Sequence, residues 1–482
     1  MPVIKKILSN KIFLYLTTRY FTYIIQFCVS MFLAVKLGPY YFGMWSFIYM
    51  ILSYFLVINF GISNSTNILL IQNKNNSEAS RSYILTAILL LCIITILIFL
   101  FALYYYKIGI ALFDKYQLEP LFYLICIIAV FQHFNLLFSG IYRVKNRLFE
   151  LSFYQSIVPV LTLILAFCFK SSLLINMLLY GYLAGHIISL SLFLYRKQIT
   201  FRGGVISLDI IKSMFSKGIY LFLYNCCFYL IIVSTATIVS AFYSNNEYGL
   251  YSFAYTAGHS IILFLEAFAF IIFPKLIDRL RDKDNRVIQN TIRQIRVSYI
   301  STAYLLGYVA FAFLPPLVAL IPKYQETNIA LSMVILSILP HTSSYSYYSL
   351  LMANNQEKKL SFISIIALCT NIAIGLLLVL VFKVTYQYVI LSTMISYFIF
   401  AILSIYYALK YLSLPITLKS FLSNCFPFPI SYSLAILIVI FQINYLSILP
   451  LIVFLFINRK SILEIVATIK RLIYKPNIID LN

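Results

Sequence analysis

Two charged side chains, Arg19 and Glu266, fall inside otherwise apolar stretches of the sequence. A charge at membrane depth is costly, so such a residue is a functional candidate by default. Arg19 lies eight residues beyond Lys11, which is about 12 Å along a helix. Glu266 lies eight residues before Pro274 and should reach a matching depth. An arginine in a hydrated cleft suits an anion, and a desolvated carboxyl suits proton coupling.

Helical spacing places further polar side chains on the faces of these two charges. Tyr23 and Gln26 share a face with Arg19, and His259 shares one with Glu266. Polar residues also recur within other apolar stretches. The sequence therefore predicts a substrate-binding set consisting of Arg19, Tyr23, Gln26, Asn59, Asn225, His259 and Glu266.

Structural interpretations of the same residues stay open. Arg19 can extend its charge to the membrane interface along its own apolar stem. Arg19 and Glu266 can form a buried pair that only fixes helix packing. Most of the other polar side chains can form hydrogen bonds between helices, worth about 0.6 kcal/mol each.

The composition requires a membrane environment. Of 482 residues, 62% are hydrophobic and only 10% are charged, against about 45–50% and about 25% in ordinary soluble domains. A helix of about 20 apolar residues spans the hydrocarbon layer and satisfies its own backbone hydrogen bonds. The predicted spans, twelve to fourteen in number, cover residues 12–35, 43–70, 83–106, 118–141, 152–169, 173–195, 215–241, 248–273, 298–320, 329–352, 361–382, 387–409, 421–441 and 444–458.

The basic residues predict the topology. With the N-terminus inside, 29 of the 36 Lys and Arg residues fall in cytoplasmic segments, 6 fall in outward loops and Arg19 falls in a span. Positive loops stay in the cytoplasm, so we expect a multi-pass protein with both termini cytoplasmic. The net charge of +22 follows from this distribution and from contact with anionic headgroups, not from a nucleic-acid partner.

Several function classes are excluded by missing motifs. The sequence has no G-x-x-x-x-G-K-[ST], so no P-loop is expected. None of the eight cysteines forms C-x-x-C, so neither a zinc site nor a disulfide framework is indicated. We expect no cofactor, no metal and no catalytic residue.

An internal repeat organises the chain. A shift of 206 residues superposes 42–49 on 248–255, with identities at Gly43/Gly249, Ser46/Ser252, Phe47/Phe253 and Tyr49/Tyr255. Six predicted spans separate the copies, which indicates parallel repeats, although chance similarity in an aromatic-rich chain stays an alternative. The predicted organisation is an N-terminal lobe (1–214), a C-terminal lobe (215–410), an extra membrane hairpin (411–458) and a cytoplasmic tail (459–482).

The segment Leu37–Trp45, L-G-P-Y-Y-F-G-M-W, resembles the L-G-P-x-x-[YF]-G-x-[YW] signature of Wzx-type polysaccharide flippases. The second copy at 247–255, followed by Phe273-Pro274-Lys275, resembles the second-half motif of that family. These flippases share a superfamily with MATE drug exporters and the peptidoglycan lipid flippase MurJ. The motifs indicate the family and say little about the cargo.

The resemblance implies export of an undecaprenyl-diphosphate-linked oligosaccharide, such as an O-antigen unit of lipopolysaccharide, from the cytoplasmic to the periplasmic leaflet of the bacterial inner membrane. It implies a MATE- or MurJ-like fold of two six-helix lobes that alternate access to a central cleft. Arg19 would bind the diphosphate, and Glu266 would pair with empty Arg19 or couple protons. Expected partners are membrane lipids and, in the same pathway, a polysaccharide polymerase and a chain-length regulator.

Two rival functions stay open. A MATE-like drug or cation antiporter would, by resemblance, carry acidic residues deep in the N-terminal lobe, where this sequence has Arg19 instead. A membrane polysaccharide polymerase or glycosyltransferase would present a large outward loop with catalytic charges. The longest outward loop here, about 107–117, offers only Asp114 and nearby Glu119, so we expect no enzyme.

Overall fold

Most described residues of the chain are helical, and no strand occurs among them. The computed structural model describes residues 11–73, 76–108, 111–169, 171–196, 199–282, 284–414 and 417–464. Within them the α-helices are α1 Lys11–Val57, α2 Ile62–Gln72, α3 Ser77–Ile108, α4 Ala111–Lys115, α5 Phe122–Val144, α6 Leu148–Cys168, α7 Ser171–Tyr195, α8 Leu208–Phe242, α9 Asn245–Leu280, α10 Asn285–Ile295, α11 Ser301–Ala319, α12 Asn328–Ser343, α13 Tyr345–Ala353, α14 Glu357–Leu380, α15 Ile390–Tyr411, α16 Leu418–Cys425, α17 Pro429–Ile440 and α18 Leu449–Ile457.

The helices have membrane dimensions. In the described part of the chain, nine helical stretches are long and apolar enough to cross a bilayer, and two bent pairs would raise the number to eleven. Helix α9 is 36 residues long, but many of its side chains, at 261–264 and 266–275, lie outside the described ones. The predicted fold class, an all-helical multi-pass membrane protein, is confirmed. The predicted total of twelve to fourteen spans stays a prediction.

Helix α1 joins the first predicted span directly to the second. Gly38 has φ 73° and ψ 168° inside the helix, a conformation open to glycine, and Pro39 begins the segment that follows. The loop expected around 36–42 is therefore only a kink. The second predicted span, 43–70, is in turn broken between Val57 and Ile62, where Phe60 and Gly61 both have positive φ.

Two further breaks coincide with polar or proline-containing positions. Helices α12 and α13 meet at Ser344 with a bend of 42°. Helices α16 and α17 are bent by 55° around Pro427, since proline cannot continue a regular helix. At the first bend the Ser344 backbone N–H and side-chain hydroxyl both bond to the His341 carbonyl.

The helices form two compact units. The first unit contains residues 17–226 and the short segment Ser244–Gly249; the second contains 227–243 and the described residues from Leu250 onwards. The core of the first unit is built where α7 packs on α5 and α6 and where α2 packs on α3 and α5. Small residues permit the close approach of α7 to α6, since a Cβ on Gly185 would stand 3.0 Å from Val158 Cα.

In the second unit α15 packs against α12 and α14, and α11 packs against α12 and α18. Buried tyrosines tie these helices together. Tyr304 and Tyr308 hydrogen-bond to the hydroxyls of Ser343 and Ser431 at 2.9 and 3.0 Å. Tyr432 donates to the Leu336 carbonyl at 3.1 Å. Satisfied hydroxyl groups let large aromatic side chains fill a membrane core without leaving bare polar atoms.

The basic segment between α9 and α11 is more ordered than the loop that the sequence predicts. Residues 285–295 form the amphipathic helix α10, which runs through a π-helical turn at Arg296–Ile300 into α11. Asp284 caps α10 by accepting a hydrogen bond from the Arg286 backbone N–H at 2.7 Å. Ile288 and Ile295 are buried while the basic side chains stay on the outer face.

Candidate functional site

The two charges that define the predicted site lie on described helices, Arg19 on α1 and Glu266 on α9. Their side chains lie outside the described ones. Arg19 belongs to the stretch of α1 assigned to the first unit, and Glu266 belongs to the second unit. Diphosphate capture by Arg19 and its pairing with Glu266 stay predictions.

The polar face predicted around Arg19 is partly buried in the first unit. Tyr23 is buried, and Gln26 is half-buried. Tyr20 and Tyr23 lie about one helical turn apart on α1.

Asn59 lies at the break between α1 and α2 and is buried. Its side-chain amide donates to Ser63 Oγ at 3.2 Å, and its Oδ1 accepts the Ser63 backbone N–H at 3.1 Å. The same amide lies 3.4 Å from His133 Nδ1 on α5. The structure thus places Asn59 in a hydrogen-bonded core that holds the broken helix against α5.

A second polar contact in the first unit joins α5 to α7. The Asn135 amide lies 3.1 Å from His186 Nδ1 and donates to the His186 carbonyl at 2.9 Å. His133 Nε2, His186 Nε2 and Gln132 Oε1 are buried with no hydrogen-bond partner among the described residues. The sequence marks these polar residues within spans, but it does not show that Asn135 meets His186.

Asn225 and His259, the other two predicted residues, have different surroundings. Asn225 on α8 is exposed. His259 on α9 is half-buried in the second unit, with its ring stacked 5.1 Å from the Tyr255 ring.

A polar network in the second unit was not singled out by the sequence. The Asn371 amide nitrogen on α14 lies 2.9 Å from three acceptors of α8, which share its two N–H groups: the Ile231 carbonyl, Ser234 Oγ and Thr235 Oγ1. Thr235 Oγ1 also lies 2.8 Å from Thr393 Oγ1 on α15. The group is buried and ties three helices together. Its only signal in the sequence is the presence of small polar residues in three apolar spans.

The repeated glycine motif forms a contact within the first unit. A Cβ on Gly43 would stand 2.3 Å from the Asn245 carbonyl oxygen, and one on Gly249 would stand 1.8 Å from the Pro39 carbonyl oxygen. The two copies of the repeat therefore meet backbone to backbone. This approach requires glycine at both positions.

Aromatic rings support the same contact. The Phe47 and Tyr116 rings are stacked with centroids 4.0 Å apart, and Tyr248 lies edge-on to both, at 6.4 and 5.8 Å. Asn245 donates to the Lys115 carbonyl at 3.0 Å. Burial raises the pKa of the Tyr116 phenol, so this hydroxyl stays protonated.

The start of α9 is closed by a capping box. Ser244 Oγ accepts the Glu247 backbone N–H at 3.2 Å, and Glu247 Oε2 accepts the Ser244 backbone N–H at 2.9 Å. Burial lowers the pKa of the Lys115 ammonium, and the Glu247 carboxylate partly offsets that shift by raising it. The second repeat motif thus combines a helix cap, a backbone contact and a charge contact.

One family of known proteins matches a large part of the chain. A family model described as polysaccharide biosynthesis protein matches residues 8–278, more than half of the chain. Among curated proteins, none matches it.

Solved structures of membrane transporters superpose on most of the chain. The inward-facing conformation of a MATE multidrug resistance transporter has a TM-score of 0.69 at 13% identity, covering 84% of this chain and 98% of that one. The lipid II flippase MurJ, in an inward closed conformation, has a TM-score of 0.69 at 16% identity, covering 93% and 99%. An outward-facing MATE transporter gives 0.61 at 13% identity, covering 84% and 96%. At these identities the likeness establishes the fold.

Proposed function

Since this chain belongs to the polysaccharide biosynthesis protein family, we propose that it is a flippase for an undecaprenyl-diphosphate-linked oligosaccharide. It carries an O-antigen repeat unit or a similar surface polysaccharide unit from the cytoplasmic to the periplasmic leaflet of the bacterial inner membrane. The observation that carries this proposal is the family match over residues 8–278. A fold like that of the lipid II flippase MurJ over 93% of the chain supports it.

The proposed mechanism is alternating access of an N-terminal lobe (1–214) and a C-terminal lobe (215–410), with a hairpin at 411–458 and a cytoplasmic tail at 459–482. Both termini face the cytoplasm. The polyprenyl tail stays in lipid, while the diphosphate and the sugars cross through a hydrated path. No covalent chemistry is needed, because the cargo leaves with every bond it had on entry.

Arg19 is proposed to hold the diphosphate through charge-assisted hydrogen bonds. Tyr23 and Gln26 continue its helix face and are proposed to contact the cargo next to the diphosphate. Exposed Asn225 and half-buried His259 are proposed to contact the sugars. Asn59 is proposed to support the binding site from within the core, because its side-chain amide already donates a hydrogen bond to Ser63.

Glu266 is proposed to replace the cargo as the partner of Arg19 in the empty transporter. A carboxyl at that depth also suits coupling to a proton gradient, because desolvation favours its protonated form. A polysaccharide polymerase and a chain-length regulator, acting on the exported unit, are the proposed partners in the pathway.

The decisive experiment is deletion of the gene, followed by leaflet-resolved analysis of lipid-linked oligosaccharides. We expect the undecaprenyl-diphosphate-linked unit to accumulate on the cytoplasmic leaflet and a plasmid copy of the gene to clear it. Labelled units in vesicles containing the purified protein give a direct transport readout. An unchanged distribution between leaflets in the deletion strain would reject the proposal.

A MATE-like antiporter is the second candidate, favoured by the TM-score of 0.69 to an inward-facing MATE transporter. The acidic residues argue against it. Those between residues 17 and 208 are Glu78, Asp114, Glu119 and Glu150, and all four stand at or beside helix ends, where they cannot neutralise a cation at membrane depth. Drug sensitivity that rises on deletion while surface polysaccharide stays intact would favour the antiporter.

A further inference from the structure

The second unit contains a cavity of about 160 Å³, and none of its lining residues belongs to the proposed cargo-binding set. It is bordered by the amphipathic helix α10, by the bend between α12 and α13, and by the end of α16. One water needs only about 10–15 Å³ of such space, so the cavity accommodates a larger polar group. Its lining is Gln289, Ile292, Arg293, Arg296, Ile300, Ser343, Ser346, Tyr347, Asn424 and Pro427.

The charge of the lining is entirely positive. Arg293 and Arg296 contribute two guanidinium groups, and no carboxylate lines the cavity. Arg296 is anchored, because it donates to the Ser423 carbonyl at 2.9 Å and to Asn424 Oδ1 at 3.2 Å. Within the described part of the chain, no ion pair or side-chain hydrogen bond occupies the Arg293 guanidinium. A concave site with two cations and no anion concentrates negative charge.

A buried hydroxyl in the same cavity lacks a partner. Ser346 is fully buried, and its Oγ has no hydrogen-bond partner among the described residues. Leaving a buried hydroxyl unpaired costs about 1–3 kcal/mol, so a ligand oxygen that accepted a hydrogen bond from Ser346 would recover that cost. Ser343 also lines the cavity but is already bonded to Tyr304 at 2.9 Å.

We propose that this cavity binds the phosphate group of an anionic phospholipid. A phosphate has the oxygen acceptors that two guanidinium groups and a free hydroxyl require. The positive-inside distribution predicts that α10 lies at the cytoplasmic face, where anionic headgroups attract basic amphipathic helices.

The surroundings of the cavity favour a lipid over free phosphate. Next to Ser423 and Asn424, helix α16 exposes Leu418 and Leu422, with exposed fractions of 74% and 47%. Apolar side chains exposed beside a cationic cavity are matched by a ligand with a phosphate head and acyl chains. The site is distinct from Arg19, which belongs to the first unit.

The test measures binding of dioleoylphosphatidylglycerol to the purified full-length protein by native mass spectrometry, with phosphatidylcholine as the neutral lipid. The main variant is Arg293→Gln, because the Arg293 guanidinium is not used by the fold. The matched control is Arg286→Gln, which removes the same charge from an exposed position of α10 that does not line the cavity. Losing one charge-assisted contact should weaken binding by about tenfold to a hundredfold.

Wild type and Arg286→Gln should bind phosphatidylglycerol equally, Arg293→Gln should bind it about tenfold to a hundredfold more weakly, and Arg293→Lys should bind with intermediate affinity. Ser346→Ala should weaken binding without lowering the unfolding temperature of the lipid-free protein, since its hydroxyl has no protein partner to lose. Equal binding by wild type, Arg293→Gln and Arg286→Gln overturns the proposal. Displacement of the lipid by millimolar inorganic phosphate overturns the lipid assignment and identifies free phosphate as the occupant.

Discussion

Gly249 and Pro39 approach so closely that a Cβ atom on Gly249 would stand 1.8 Å from the Pro39 carbonyl oxygen. Gly43 is under a similar constraint from the Asn245 carbonyl, at 2.3 Å. Real Cβ contacts essentially never fall below 3.0 Å, and the atoms met here are backbone atoms that no rotamer change can move. The two family motifs are thus two sides of one backbone contact.

The Gly249→Ala variant should be destabilised by about 1–3 kcal/mol or more, the usual cost of overpacking. Helix propensity alone would make the same change stabilising by about 1 kcal/mol. The sign of the change in stability therefore shows which of the two effects is larger. The measurement is the thermal unfolding temperature in detergent, with Asn246→Ala as a control at an exposed neighbour. A Gly249→Ala protein as stable as wild type would contradict the close contact.

The capping box makes a separate prediction about the start of α9. Ser244→Ala removes the acceptor for the Glu247 N–H, an interaction worth about 1 kcal/mol. Amide hydrogen exchange in the first turn of α9 should accelerate about fivefold, since about 1.4 kcal/mol corresponds to tenfold. Ser244→Thr keeps the acceptor and serves as the control. An unchanged amide exchange rate in Ser244→Ala would show that the cap does not stabilise the first turn of α9.

Glu247 also affects the pKa of Lys115. Burial lowers the pKa of this ammonium and Glu247 raises it, so Glu247→Gln should lower that pKa further while keeping the capping geometry. A lysine whose folded pKa lies below its unfolded value destabilises the fold at low pH. Stability should therefore rise as pH increases between the two values, over a wider range in the variant. The measurement is the chemical reactivity of Lys115 as a function of pH, with Glu326→Gln as the control variant. Identical Lys115 profiles in wild type and Glu247→Gln would contradict the predicted effect of Glu247.

The apolar spans can be predicted from the sequence because about 20 apolar residues in a row have no other stable environment. The break within residues 43–70 cannot be predicted in this way. It depends on Gly61, whose positive φ comes with close packing against Phe222 from far along the chain. Helix α10 was expected to be a loop because charge dominates its composition, although Ile288 and Ile295 have the helical spacing that buries them.

The candidate site is less readable for a related reason. Helical periodicity shows which polar residues share one helix face, but not which residue on another helix they meet. Asn59 and His133 are 74 positions apart, and Asn371 and Thr235 are 136 apart. Such contacts depend on helix packing, so a polar residue in a span can be a cargo contact or a structural bond.

Asn371 illustrates the structural case and yields a prediction. Its two amide N–H groups are shared among three acceptors on α8, so at about 0.6 kcal/mol for each of two hydrogen bonds Asn371→Ala should cost about 1 kcal/mol. Ser364→Ala on the same helix is the control, because buried Ser364 bonds only to the Leu360 carbonyl one turn earlier. The thermal unfolding temperature should fall for Asn371→Ala and hardly change for Ser364→Ala. Equal stability of the two variants would assign Asn371 a role other than packing.

The charges at Arg19 and Glu266 provide the functional counterpart. If Arg19 captures the diphosphate, Arg19→Gln should reduce export by at least about tenfold, the loss of one charge-assisted contact, and Arg19→Lys should retain part of it. Leaflet-resolved accumulation of the lipid-linked oligosaccharide, normalised to protein in the membrane, gives the readout. Arg147→Gln, which removes an exposed charge that pairs with Glu150 at 3.5 Å, is the control.

Glu266→Gln separates the two roles proposed for that carboxyl. Loss of proton coupling should abolish the response of export to an imposed pH gradient, whereas loss of a resting partner for Arg19 should leave the response and lower only the rate. The exchanged variant, Arg19→Glu with Glu266→Arg, should regain protein stability if the charges pair, yet not export, because the cation then stands on the other helix. Full export by both single neutral variants would end the hypothesis that either charge handles cargo.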